Sequence, residues 1–149
     1  MHHLSLWRRI GLPGLTLAAA LSVMAWDSTP ARAQAPADPI VVTAKLVEIP
    51  TKFPPDDLYD YAFVMKYEVV GGPLDKQTIL VAHYKPKQPR SKIKEKHTGG
   101  KLRSFNQGDT HKLKITADLK KVWKGALIDE YAATDRKSVR YWCLEADPG

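Results

Sequence analysis

Ten consecutive residues constrain this chain more than any others. In Tyr61 to Val70, YAFVMKYEVV, the side chains of Tyr61, Phe63, Met65, Tyr67 and Val69 alternate with Ala62, Val64, Lys66, Glu68 and Val70. Successive side chains on a strand point to opposite faces, so this period of two, with one wholly apolar set and one mixed set, marks a half-buried strand. Gly71-Gly72-Pro73 ends it.

Other segments follow the same logic. IVVTAKLVEI, residues 40–49, is β-branched and stops at Pro50, which predicts a first strand. TKFPPDD is a proline loop with no helix in it. TILVAHY, 78–84, is apolar on both faces and belongs in the middle of a sheet. Asn106-Gln107-Gly108-Asp109 is turn chemistry. It leads into THKLKIT, 110–116, where Leu113 and Ile115 oppose a solvated face of Lys112 and Lys114. Residues 118–131 have helical spacing at Leu119, Val122, Trp123, Ala126 and Leu127, but Gly125 weakens it, so one helical turn followed by loop is expected. VRYWCLE, 139–145, closes the chain as a strand. Five strands and one short helix predict an all-β fold, a small five-stranded antiparallel barrel, since closure removes exposed strand edges. A sandwich needs about seven strands, and the chain does not supply them.

The first 33 residues have a different character. Arg8 and Arg9 precede an apolar run, Ile10 to Trp26, broken by Gly11, Pro13 and Gly14. That run falls short of the ~20 apolar residues of a membrane span. Ala31-Arg32-Ala33 has the small-x-small form of a cleavage site, so residues 1–33 read as a signal peptide and the mature chain as starting at Gln34. Arg8-Arg9 also fits a twin-arginine signal, but Trp7 before it and Gly11 after it favour the general secretory route. With no cysteine near residue 34, a lipoprotein anchor is excluded. QAPADP, 34–39, reads as a disordered leader, and 40–149 as a single domain in the periplasm or outside the cell. The leader carries three basic residues and one acid, so the mature 116 residues hold 20 basic and 15 acidic side chains, a charge of +5.

Cys143 is the only cysteine. No internal disulfide can form, so the core alone must hold the fold. Within VRYWCLE it reads as a buried, inert thiol.

The order of these segments resembles small OB-like domains of exported bacterial proteins, some of them linked to cell-surface polysaccharide modification. The residues that carry the likeness are VVTAKLVEIP, YDYAFVMKYEVVGGP, ILVAHY with its His83-Tyr84 pair, THKLKIT after a Gly-Asp turn, and YWCLE, spanning roughly 40–144. The resemblance implies an OB-like barrel and an envelope location. It transfers no catalytic residue.

The sharpest local anomaly is KPKQPRSKIKEKHTGGKLR, residues 85–103. Lys85, Lys87, Arg90, Lys92, Lys94, Lys96, Lys101 and Arg103 stand against one acid, Glu95. Such a run repels itself and is expected to project as a long inter-strand loop. Several cations on one loop add their fields, which predicts an anion site for acidic polysaccharide or an acidic envelope protein. Nucleic acid is disfavoured, because no aromatics are interleaved for base stacking. Asp56, Asp57 and Asp60 read as a solvated loop and lack a calcium-loop pattern. No nucleophile motif, phosphate loop or cofactor fingerprint is present, so no catalytic residue, cofactor or metal site is assigned. The alternative is a small periplasmic enzyme or metal-binding protein using His83, His111 or Cys143, which show no close ligand pair in sequence. Tyr59, Tyr61, Tyr84, Tyr131, Tyr141 and Trp142 are expected to fill the core and its rim rather than to stack on sugars.

Overall fold

The structure, a computed structural model, describes residues 39–149 except Leu58. The expected signal peptide and almost all of the 34–39 leader lie outside the described residues. Six strands form one mixed sheet: β1 (Ile40–Glu48), β2 (Tyr61–Gly71), β3 (Thr78–Tyr84), β4 (Thr110–Thr116), β5 (Ala126–Ile128) and β6 (Arg140–Pro148). One helical turn, α1 (Leu119–Val122), precedes β5.

The strand order is β1-β4-β6-β3-β2-β5, and β1 also pairs with β2. The pairings of the five long strands therefore return to their starting point. Two corrections follow for the expected five-stranded antiparallel arrangement. There is a sixth strand, and two pairings are parallel, β3 with β6 and β2 with β5. The three residues of β5 are too few to show a period, and their ladder partner, Tyr61–Phe63, is more than sixty residues away.

The long strands lie close to where their local pattern puts them, with β3 and β4 at the expected bounds. The alternation of β2 is realised: Tyr61, Phe63, Met65, Tyr67 and Val69 enter the main core with Val42, Ala44 and Leu46 of β1, Ile79 and Val81 of β3, and Leu113 and Ile115 of β4. β3 lies between β2 and β6, as its two apolar faces require. Its second face, with Ala62 and Val64 of β2, is covered by Leu119, Tyr131 and Trp142. The indoles of Trp123 and Trp142 stack 5.4 Å apart. In β6 the register slips opposite Lys114 and Ile115, so that Tyr141, Cys143 and Ala146 all face the core while Glu145 faces water. One extra residue in a ladder has this effect. No described helix is long and apolar enough to cross a membrane.

Candidate functional site

The 85–103 segment was expected to project into solvent; instead it is bound down against β6. Two local features direct it there. Arg90 is 2% exposed and lies in a short 3₁₀ turn, Arg90–Lys92. Its Nη1 donates to the Tyr84 carbonyl (2.7 Å), and its Nη2 donates to those of Lys85 (2.6 Å) and Gln88 (2.9 Å). A planar guanidinium suits several carbonyls converging at one turn. Arg90 therefore leaves the expected anion-binding set: it is a buried clamp that folds the loop onto the strand end. Burial pulls its pKa down to about 10, which still leaves it charged at neutral pH.

The second feature is the pairing of residues 99–102 with β6. The Gly99 N–H donates to the Leu144 carbonyl (2.8 Å), and the Leu102 N–H to that of Ala146 (3.0 Å). Gly100, with φ of +105°, passes so close to Ala146 that an added Cβ would sit 2.1 Å from its carbonyl oxygen. Only glycine allows both the backbone angle and the approach. The Trp142 indole donates to the His97 carbonyl (2.8 Å), and the Lys101 N–H to Asp147 (2.8 Å). Leu102 and Phe105 then enter the core. A segment that looked too charged to bury anything supplies one core side chain, Leu102, near its end, and Phe105 follows two residues beyond it.

Lys85 also leaves the free set. It pairs with Asp60 at 2.8 Å and donates to the Asp56 carbonyl (2.9 Å). Asp60 in turn accepts from the Tyr84 hydroxyl at 2.9 Å. The hydrogen bond from Lys85, then that from Tyr84, holds the Asp60 carboxyl below its ordinary range. Asp56 accepts from the Tyr61 hydroxyl at 3.1 Å. Two of the three acids expected as merely solvated thus help to anchor the proline loop.

Six cations of the set remain exposed: Lys87, Lys92, Lys94, Lys96, Lys101 and Arg103. None of them is in an ion pair among the described residues. The fold also adds neighbours that the sequence separates. Lys96 shares a depression of about 200 Å³ with Lys114 of β4 and Glu145 of β6. Glu145 lies opposite Lys114 and Asp147 opposite Lys112 in the β4–β6 ladder. Lys96 and the backbone of Lys101 on one side, and Lys114 and Lys112 of β4 on the other, therefore flank the same two residues of β6. Lys114 is bound to Glu145 at 3.2 Å, whereas Lys112 is exposed and in no ion pair among the described residues.

His83 and His111, from different strands, do converge. Both are buried, and both touch Tyr67 (centroids 5.6 and 6.0 Å) and Phe105 (4.6 and 5.5 Å). Cys143 is buried in the same core, but among the described residues no group of three or more His, Cys, Asp or Glu is placed to hold a metal ion. Burial pushes the thiol up to about 12, so it is a poor nucleophile. Burial, then the charge of Arg90 and the neighbouring His111, keep His83 well below its ordinary pKa; burial lowers His111 too, against the pull of Asp109. The ring nitrogens of both histidines, the Tyr67 hydroxyl and Arg90 Nε have no hydrogen-bond partner among the described residues. His97 is exposed and stands apart on the loop. Of the aromatics, Tyr61, Tyr84, Tyr131, Tyr141 and Trp142 are buried, as expected of core and rim, and Tyr59 is 49% exposed.

Comparison with protein-family models, curated proteins and solved structures found no match to this chain.

Proposed function

We propose that this chain is an exported, non-enzymatic binding domain, built as an OB-like closed sheet, whose 85–103 segment contacts an anionic envelope polysaccharide. The observation that carries the reading is the set of six exposed cations, without ion pairs among the described residues, on a segment hydrogen-bonded to β6 through residues 99–102. Long cationic side chains on an anchored backbone lose less freedom on binding than the same side chains on a mobile loop. Their summed field favours a polyanion over a single small anion. The closed-sheet part of the reading draws on the circuit of pairings through β1. Export draws on the leader pattern of residues 1–33.

A salt titration tests the reading. Polygalacturonate should bind the purified protein at low ionic strength. The affinity should fall steeply as the Debye length shrinks from about 10 Å at 0.1 M salt toward about 3 Å at 1 M. Changing Lys92, Lys94 and Lys96 together to Ala should weaken binding about tenfold at low salt, roughly half a kcal/mol for each exposed charge. Binding that ignores salt, or is unchanged in the triple variant, overturns the proposal.

A further inference from the structure

A second concave feature lies away from the basic segment. Between α1 and the stretch that leads into β6 is a groove of about 620 Å³. That volume is within the range of roughly 300–1,000 Å³ typical of small-molecule sites. Its apolar lining is Ala117, Leu119, Leu127, Ala132 and Val139, all aliphatic. Leu127 is 38% exposed, an apolar side chain left open to solvent beside the groove.

The walls are held in place before anything binds. Arg140 donates through Nε to Asp129 (2.8 Å), through Nη1 to the Ser138 carbonyl (2.7 Å) and through Nη2 to that of Asp135 (2.5 Å). The side chains of Arg140 and Asp129 are 12% and 11% exposed. Asp135 accepts from the N–H groups of Lys137 (3.1 Å) and Ser138 (2.9 Å), and Asp129 from that of Tyr131 (3.0 Å). A site whose loops already satisfy their own polar groups loses little entropy when a ligand enters.

The charges are not balanced. Four cations line the groove against two carboxylates. Arg140 is neutralised by Asp129, and Lys121 pairs with Asp118 at 3.2 Å. Lys120 and Arg136 are exposed and have no ion pair among the described residues. The lining therefore offers aliphatic surface together with two unanswered positive charges. A sugar ring would want an aromatic platform, and none lines the groove. A cationic ligand would meet like charge.

We propose that this groove is a binding site for a free medium-chain aliphatic carboxylate. Its alkyl chain covers the Leu119, Leu127 and Val139 surface, and Lys120 and Arg136 supply the charge that selects the carboxylate. The site shares no residue with the 85–103 segment and stands whether or not that segment binds polysaccharide.

Calorimetric titration of the purified protein with hexanoate, octanoate and decanoate tests this. Decanoate should saturate at one site below about 1 mM, the affinity scale of a modest apolar contact with one charge. Each two-carbon extension should tighten Kd about fourfold, which corresponds to half-burial of the added methylenes in an open groove. The double variant Lys120→Ala/Arg136→Ala changes only exposed side chains and should weaken decanoate about five- to tenfold. Leu127→Asp should abolish binding. Decyltrimethylammonium, with the same chain and the opposite charge, should not bind. Absence of saturation, a Kd independent of chain length, equal binding of the cationic amphiphile, or an unchanged Kd in the double variant would each overturn the proposal.

Discussion

Mild acid should weaken this fold through the two histidines in its core. In the unfolded chain a histidine titrates near 6.5. In the folded protein His83 and His111 are held below that value, His83 the more strongly. Among the described residues, the rings that touch them and the titratable groups near them oppose or fail to help protonation, with one exception. Phe105 is apolar, Tyr67 and Cys143 stay neutral because burial raises both their pKa values, and Arg90 is already positive. Only Asp109 acts the other way, and only on His111. A proton added to either ring would also create a buried donor with no hydrogen-bond partner among the described residues. The sign follows from proton counts. Below about pH 6.5 the unfolded state binds protons that the folded state refuses, so stability is complete above that pH and falls as pH drops. A histidine that stays neutral in the fold costs about 1.4 kcal/mol per pH unit, or about 2 kcal/mol between pH 6.5 and 5. His83 should contribute most of that amount, and His111 a smaller share because of Asp109. Together about 2–3 kcal/mol is a large part of the roughly 5–15 kcal/mol of a domain this size. Urea unfolding followed by tryptophan fluorescence should show the midpoint falling by about 1–2 M across this window. Glu48 and Asp60, paired with lysines, and Asp135, hydrogen-bonded by Ser138 and Lys137, have lowered pKa values, so their contributions are lost only nearer pH 4 and leave the window clear. A midpoint unchanged between about pH 7.5 and 5 would refute this reasoning. So would a His83→Leu variant that folds and keeps the full slope.

Two further outcomes follow from the same geometry. Gly100→Ala should cost about 2 kcal/mol, from a disfavoured positive φ together with the contact at the Ala146 carbonyl. Urea unfolding measures the cost, and amide exchange at Gly99 and Leu102 should rise as the pairing with β6 loosens; unchanged stability would mean that the loop is not bound there. Cys143 should resist a disulfide-exchange reagent in the native protein at about pH 8 and react fully in denaturant, because only the thiolate attacks. Rapid modification of the native protein would show that the thiol is not buried as described.

How much of this was legible beforehand depended on how local its cause was. Strands β2, β3 and β4 could be read closely because facing alternates residue by residue, and the chain writes that period directly. The interior position of β3 was equally plain from its two apolar faces. The fate of the basic segment was not. Residue type alone does not separate Arg90, which becomes a clamp, from Arg103, which stays in water. That difference comes from three carbonyls brought together by a turn. A signal was present in Gly99-Gly100 and Leu102, which interrupt the charged run, and in Phe105 just beyond it.

The sequence by itself determined the strand-rich character, the lone unpairable cysteine, the excess of positive charge and the leader-like first 33 residues. Each of these depends on composition or on a repeat no longer than a few residues. Tertiary structure alone decided which strands pair in parallel, that β5 exists, and that Lys96 of the loop lies beside Lys114 of β4. It alone brought His83 and His111 around Phe105 and shaped the groove beside α1. Those outcomes depend on contacts between residues tens of positions apart, and chain order carries no local record of them.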